Sequence, residues 1–187
     1  SYYNMRIVEL IIDETDENSG IEAVSLVSTP ATEENWIALN KQQILLKEVD
    51  KEKRILMGAA LVPNKQIYRR NEKTNDEYYI YFSKDTVRKA SELFFKRSNH
   101  KNATYEHKQP IKGTTIVESW IVENTKKDKS AHYGLNVPEG TWMISMKIDD
   151  QELYNKAKDG TIQGFSIEGY FADKYDMTKE ESFKDFE

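Results

Sequence analysis

Gly164-Phe165-Ser166-Ile167-Glu168-Gly169-Tyr170-Phe171, GFSIEGYF, is the stretch on which the reading of the chain turns. Its aromatic and β-branched residues suit a strand, and successive side chains of a strand point to opposite faces. Ser166 then shares a face with Ile162, Glu168 and Tyr170, and the flanking glycines permit a bulge or a close backbone approach. Such a serine is either a hydrogen-bonded strand residue or a nucleophile. The nucleophile elbow of α/β-hydrolases needs a strand-to-helix turn and a glycine two residues after the serine. Here Glu168 holds that position and the strand runs on, so no elbow is present. On its local motif Ser166 reads as an ordinary strand serine.

Working outward, the preceding segment is predicted to be a short helix from about Asp150 to Lys158, with Asp149 as N-cap, Glu152 completing a capping box and Gly160 past its end. Thr141–Ile148 alternates Trp142, Ile144, Met146 and Ile148, the period of a half-buried strand. Thr114–Val122 is a further strand, and Asn124–Tyr133 is a polar connection with room for one exposed helix. Ser83 caps a helix over Ser83–Arg97 whose apolar stripe is Val87, Ala90, Leu93 and Phe94. Strands are expected at Met5–Ile12, Ile21–Val27, Arg54–Val62, Gln66–Arg69 and Glu77–Phe82, with Thr29-Pro30-Ala31 ending the second. Ala38–Lys53 reads as a flexible connection, and a charged tail follows residue 174. About eight strands and two or three helices without a βαβ rhythm predict an α+β fold, a mostly antiparallel and barrel-like sheet with helices around it.

The chain has 187 residues, enough for a single domain, taken as 1–174, that buries roughly 70% of its unfolded surface without a staple. It has no cysteine, which excludes disulfides, a thiol nucleophile and thiolate metal sites. The turn DETDENSG resembles a calcium loop in composition but lacks the glycine and glutamate positions that such a loop uses. No metal or cofactor is expected. A net charge of -5 does not favour specific nucleic-acid binding, and the acidic run in 7–22 and basic run in 84–101 suit solvated faces. No apolar run reaches the ~20 residues of a membrane span, and no signal-peptide pattern opens the chain, so neither membrane nor secretion is expected. The sequon Asn102-Ala103-Thr104 is read as chance.

A reactive serine needs a base, and the chain offers His100, His107 and His132. His100 and His132 lie in polar stretches; His107 ends the strand-like run Ala103–His107 beside a loop at Lys108–Gly113. Glu118 shares a face with Ile116, Trp120 and Val122, where a carboxylate must be paired or hydrogen-bonded. It is the first choice for a residue that orients a histidine, and Glu168, close to Ser166 on the same strand, is the second.

The segments GIEAVSLVSTPATEENWIAL, RILMGAALVPNKQIYRR, EYYIYFSKDTVRKASELFFK, EHKQPIKGTTIVESWIVEN and PEGTWMISMKI…DGTIQGFSIEGYF together resemble the XkdF-like family of phage serine proteases, related to phage prohead proteases and more distantly to herpesvirus assemblin. The resemblance implies an assemblin-like barrel surrounded by helices and an endopeptidase that cleaves scaffold and major capsid protein segments, and itself. It implies action inside the procapsid, within the host cytoplasm, and admits a homo-oligomer. It assigns His107 to the family's histidine and Ser166 to its nucleophile. In the wider prohead proteases an EVSLV block contributes the third residue; here Ala23 stands at the glutamate position, and Glu22, one residue off, is expected to face away. The alternative is a non-catalytic component of the procapsid interior that keeps the fold.

Overall fold

The computed structural model describes residues 5–29, 37–39 and 53–174. Among the described residues there are twelve strands: β1 (Arg6–Ile11), β2 (Gly20–Val27), β3 (Ile37–Leu39), β4 (Ile55–Leu61), β5 (Ile67–Arg70), β6 (Glu77–Phe82), β7 (Ala103–Tyr105), β8 (Gln109–Ile111), β9 (Thr114–Ile121), β10 (Trp142–Ile148), β11 (Gly164–Tyr170) and β12 (Ala172–Asp173). Among the same residues there are three α-helices: α1 (Lys84–Lys96), α2 (Lys129–His132) and α3 (Gln151–Lys158). The α+β class is therefore as expected. The strands form three four-stranded sheets with orders β12-β1-β6-β5, β3-β4-β10-β9 and β11-β2-β7-β8. Among these described strands β1–β6 and β2–β7 pair in parallel, and the other pairs are antiparallel. The sheets are not closed into a barrel: each four-stranded order is hydrogen-bonded only within itself.

The core is built from the inward faces of these sheets and α1. Ser83 caps α1 by accepting from the Thr86 amide at 3.2 Å, and Val87, Ala90 and Phe94 are fully buried. The Phe94 ring packs edge-on against Trp142 of β10 at 5.4 Å. Trp142, Ile144, Met146 and Ile148 face this main core as their alternation predicts. Met143 on the opposite face is also buried, in a second cluster with Met57, Val122, Leu135 and Val137. A central strand covered on both sides buries consecutive residues.

Several expectations are corrected. The N-cap of α3 is Asp150, whose side chain accepts from the Glu152 amide at 2.8 Å, while the Asp149 amide donates to Gly113. The loop expected at Lys108–Gly113 contains β8, Ile37–Leu39 pairs with β4, and β12 pairs with β1. Of the Asn124–Tyr133 connection only one turn, α2, is helical. The connection at 40–52 and the tail beyond 174 lie outside the described residues. Ile162 precedes β11 and is buried in the core, so it does not share the Ser166 face.

The glycine that follows Glu168 has a definite cause. A Cβ on Gly169 would lie 2.1 Å from the Gly20 carbonyl oxygen and 2.8 Å from the Ile21 Cα. Here the β11–β2 register shifts, passing from Glu168↔Ala23 to Gly169↔Ile21. Gly169→Ala forces backbone against backbone, and overpacking of this kind costs roughly 1–3 kcal/mol. Urea denaturation is expected to show at least that loss, with Gly160→Ala as control; its Cβ would meet nothing within 4 Å, although its φ of 86° adds local strain of its own.

Candidate active site

The third sheet divides its residues by period two. Register aligns Phe165 with Leu26, and Val24 with both Ile167 and Ala103; Phe165, Leu26, Val24 and Ala103 belong to the core. The neighbouring row, Ser166↔Ser25↔Thr104, lies on the other face. Glu168, two residues from Ser166, is on that face too, and it reaches across β2 to accept a hydrogen bond from the Thr104 hydroxyl on β7.

His107 is delivered by the turn between β7 and β8. Glu106 and His107 have φ of 53° and 56°, and the Lys108 amide donates to the Tyr105 carbonyl at 3.0 Å. This is the φ pattern of a type I′ hairpin turn, which glycine, asparagine and aspartate favour. A non-glycine residue held there costs of order 1–3 kcal/mol, and such positions cluster at functional sites. Three contacts hold the turn. The Glu106 amide donates to the Leu26 carbonyl at 2.9 Å, and the Glu106 carboxylate accepts from the Ser28 amide and hydroxyl. The His107 amide donates to the Ser25 hydroxyl at 2.9 Å, while that hydroxyl donates to the Thr104 carbonyl at 3.4 Å. Ser25 is fully buried. It therefore ties the strand that faces Ser166 to the backbone that carries the histidine.

The imidazole Nδ1 of His107 lies 2.9 Å from Glu168 Oε2. An ionised carboxylate only accepts, so Nδ1 carries the hydrogen and Nε2 keeps its lone pair in the neutral ring. That is the tautomer a general base needs. Ser166 lines the same cleft as His107 and Glu168, together with Glu22, Ile67, Tyr68 and Tyr170. Among the described residues the Ser166 hydroxyl has no hydrogen-bond partner.

The structure brings Ser166, His107 and Glu168 to one cleft and places Glu118 elsewhere. Glu118 is on β9 opposite Ser145 of β10 and is ion-paired with Lys129 of α2. Burial pushes its carboxyl up, but the Lys129 hydrogen bond and charge contribute to holding it below the ordinary value. The cost of a carboxylate beside Ile116 is thus met by a structural pair. Glu22 is also corrected. It is the extra residue where the β11–β2 register shifts, and it lines the cleft rather than facing away. His132 packs against Tyr133 with centroids 5.1 Å apart, and neither it nor His100 lines the cleft. Thr104 and Ser25 are contributors that sequence reasoning missed. The run SLVS offers serines, but only the β2–β7 register shows which one meets the histidine turn. Among the described residues no group of three or more His, Asp or Glu is placed to hold a metal.

A serine, a histidine and a carboxylate on one cleft, without a metal set among them, are the groups used in serine-dependent acyl transfer. A family model described as "Putative phage serine protease XkdF" matches residues 41–176, well over half of the chain, and the chain belongs to this phage serine protease family. The matched span carries His107, Ser166 and Glu168, while β1, β2 and β3 precede it. No curated protein and no solved structure matches the chain.

Two outcomes follow from this geometry. Lys129→Met leaves burial less opposed at Glu118, so its pKa rises, which an NMR titration of the carboxyl reads directly. Because the folded-state pKa is lowered, the pair's stability is present above the ordinary carboxylate range and is lost as pH falls through the folded value. Both partners are substantially exposed, so the loss at neutral pH should stay within about 1 kcal/mol. Ser25→Ala leaves the His107 amide without its acceptor, at a cost of about 1–3 kcal/mol. Faster hydrogen exchange at the His107 amide than in the parent is the expected signature.

Proposed function

We propose that the chain is a serine endopeptidase in which Ser166 is the nucleophile, His107 the general base and Glu168 the carboxylate that orients it. The observation that carries this reading is the 2.9 Å contact between His107 Nδ1 and Glu168, with Ser166 two residues away on the same strand face. Ser166 Oγ attacks the peptide carbonyl as its proton passes to His107 Nε2. The tetrahedral intermediate collapses, His107 returns the proton to the leaving amine, and an acyl-Ser166 ester forms. Water, deprotonated by the same imidazole, then releases the acid. Glu168 stays ionised, fixing the tautomer and stabilising the imidazolium.

Scaffold and capsid-protein segments inside the procapsid, and the chain itself, are the substrates this reading takes from the family resemblance, with the procapsid in the host cytoplasm as its setting. The domain would be 1–174. An assemblin-like relation of the strands is compatible with three sheets packed about one core, although no closed barrel links them.

The test is cleavage of a co-expressed scaffold segment. Ser166→Ala and His107→Ala should abolish it, and Glu168→Gln should lower kcat by about 10⁴-fold, as replacing an orienting carboxylate by its amide does elsewhere. Glu118→Gln should cleave at the parental rate. Undiminished cleavage by folded Ser166→Ala would overturn the nucleophile assignment, and absence of cleavage by the parent protein would favour a non-catalytic procapsid component.

A further inference from the structure

The hydrogen bonds around His107 close on themselves. Its amide donates to the Ser25 hydroxyl at 2.9 Å, and that hydroxyl donates to the Thr104 carbonyl at 3.4 Å. The Thr104 hydroxyl donates to Glu168 Oε2, the oxygen that also accepts from His107 Nδ1 at 2.9 Å. One residue of β7 therefore meets both ends of His107, its backbone through Ser25 and its ring through Glu168. Thr104 does not line the cleft, so it is placed to act on the site without touching a substrate.

Glu168 needs a second donor to stay where the imidazole meets it. It lies half-buried on the polar face of β11, where a long side chain gives up rotamer freedom to hold one arrangement. The His107 side chain is 42% exposed and hangs from a turn, so it fixes the carboxylate poorly by itself. Thr104 is the stiffer partner. A β-branched side chain is restricted at its first torsion, and the Thr104 backbone is held in register opposite Ser25 on one side and Pro110 on the other. Its hydroxyl bond to an ionised carboxylate belongs to the stronger, charge-assisted kind. A carboxylate oxygen has two lone pairs, so Oε2 accepts from Thr104 and His107 together. Nδ1 is a donor in the Nδ1–H tautomer and in the imidazolium alike, so the arrangement is the same before and after the proton moves.

We propose that Thr104 is a positioning residue for the reaction: its hydroxyl holds Glu168 against His107 Nδ1 and so keeps Nε2 free to take the Ser166 proton. The proposal rests on the roles of Ser166, His107 and Glu168 given above. The two branches of the circuit are separable, because removing the hydroxyl leaves the Thr104 carbonyl, and with it the Ser25 branch, in place. The Ser25 branch fixes where the turn carries the histidine. The Thr104 hydroxyl fixes which nitrogen of the ring bears the hydrogen.

Thr104→Val keeps the branched shape and removes the hydroxyl. NMR of the His107 ring nitrogens, at a pH where the ring is neutral, should show the hydrogen on Nδ1 in the parent and a shift towards the Nε2–H form in Thr104→Val. The saturating rate of inactivation by a fluorophosphonate should fall about 10–100-fold, the range that removing a partner one bond behind a working group typically costs in metal sites. The concentration giving half that rate should stay parental, because Thr104 does not reach the cleft. Hydrogen exchange at the His107 amide should also stay parental, since its Ser25 acceptor remains. Thr104→Ser, which keeps the hydroxyl, should match the parent in each measurement. Where Thr104→Val loses its thermal transition, Thr104→Ala set against Thr104→Ser makes the same comparison. A parental tautomer and inactivation rate in folded Thr104→Val overturn the proposal. Amide exchange that quickens together with the ring change overturns it too, because it marks a merely structural role. The ring readout requires no catalysis, so a tautomer shift in a protein that the fluorophosphonate never labels at Ser166 would sustain the hold of Thr104 on His107 and sink the nucleophile reading.

Discussion

The register of β11 on β2, and of β2 on β7, is the constraint on which both core and site depend. It turns Phe165, Val24, Leu26 and Ala103 inward and Ser166, Ser25 and Thr104 to the opposite face. A slip of one residue would exchange the two sets, burying hydroxyls where an aromatic ring belongs. The apolar row, worth on the order of 1.5–3 kcal/mol per fully buried large side chain, therefore also locks the polar row. The site needs no separate device to align Ser166 with the neighbouring strands; the core supplies it.

Alignment of the histidine costs more, because it sits in a backbone conformation that its side chain disfavours. The hairpin turn at Glu106–His107 is anchored to β2 at Ser25, Leu26 and Ser28, so strain at the turn is opposed by bonds to one strand. β2 thus stands between the strand of Ser166 and the turn of His107, touching both. Glu168 completes the arrangement from the far side of β2, bonding Thr104 and His107 with one oxygen. Residues of β11 and β5 then line the cleft that the site faces.

Much of this was legible in the residues. The α+β class, helix α1 with its Ser83 cap, and the strands around Trp142 and Ser166 follow from period and capping chemistry, which are local. Ser166 and His107 were named because few serines and histidines lie at strand positions that a family resemblance also marks. What could not be read was long-range. Glu118 on an apolar face looked costly enough to be functional, yet Lys129, on the short helix α2, supplies its partner. Glu168, close to Ser166 on its strand, ranks second in the sequence, but His107 enters from the turn after β7, across β2, and meets Glu168 at Oε2. Glu22 was placed by strict alternation, which the register shift at Gly169 breaks. Asp149 lost the cap of α3 to its neighbour because one residue of phase is beyond what sequence spacing resolves.

The central claim is that Ser166 is activated through His107 by Glu168. Covalent labelling by a fluorophosphonate, mapped by peptide mass analysis, tests it most directly. The account predicts one modified residue, Ser166, with labelling abolished in His107→Ala, strongly slowed in Glu168→Gln and unchanged in Glu118→Gln. Labelling that is equally fast in the parent and in a folded Glu168→Gln protein, or that maps to another serine, would contradict it.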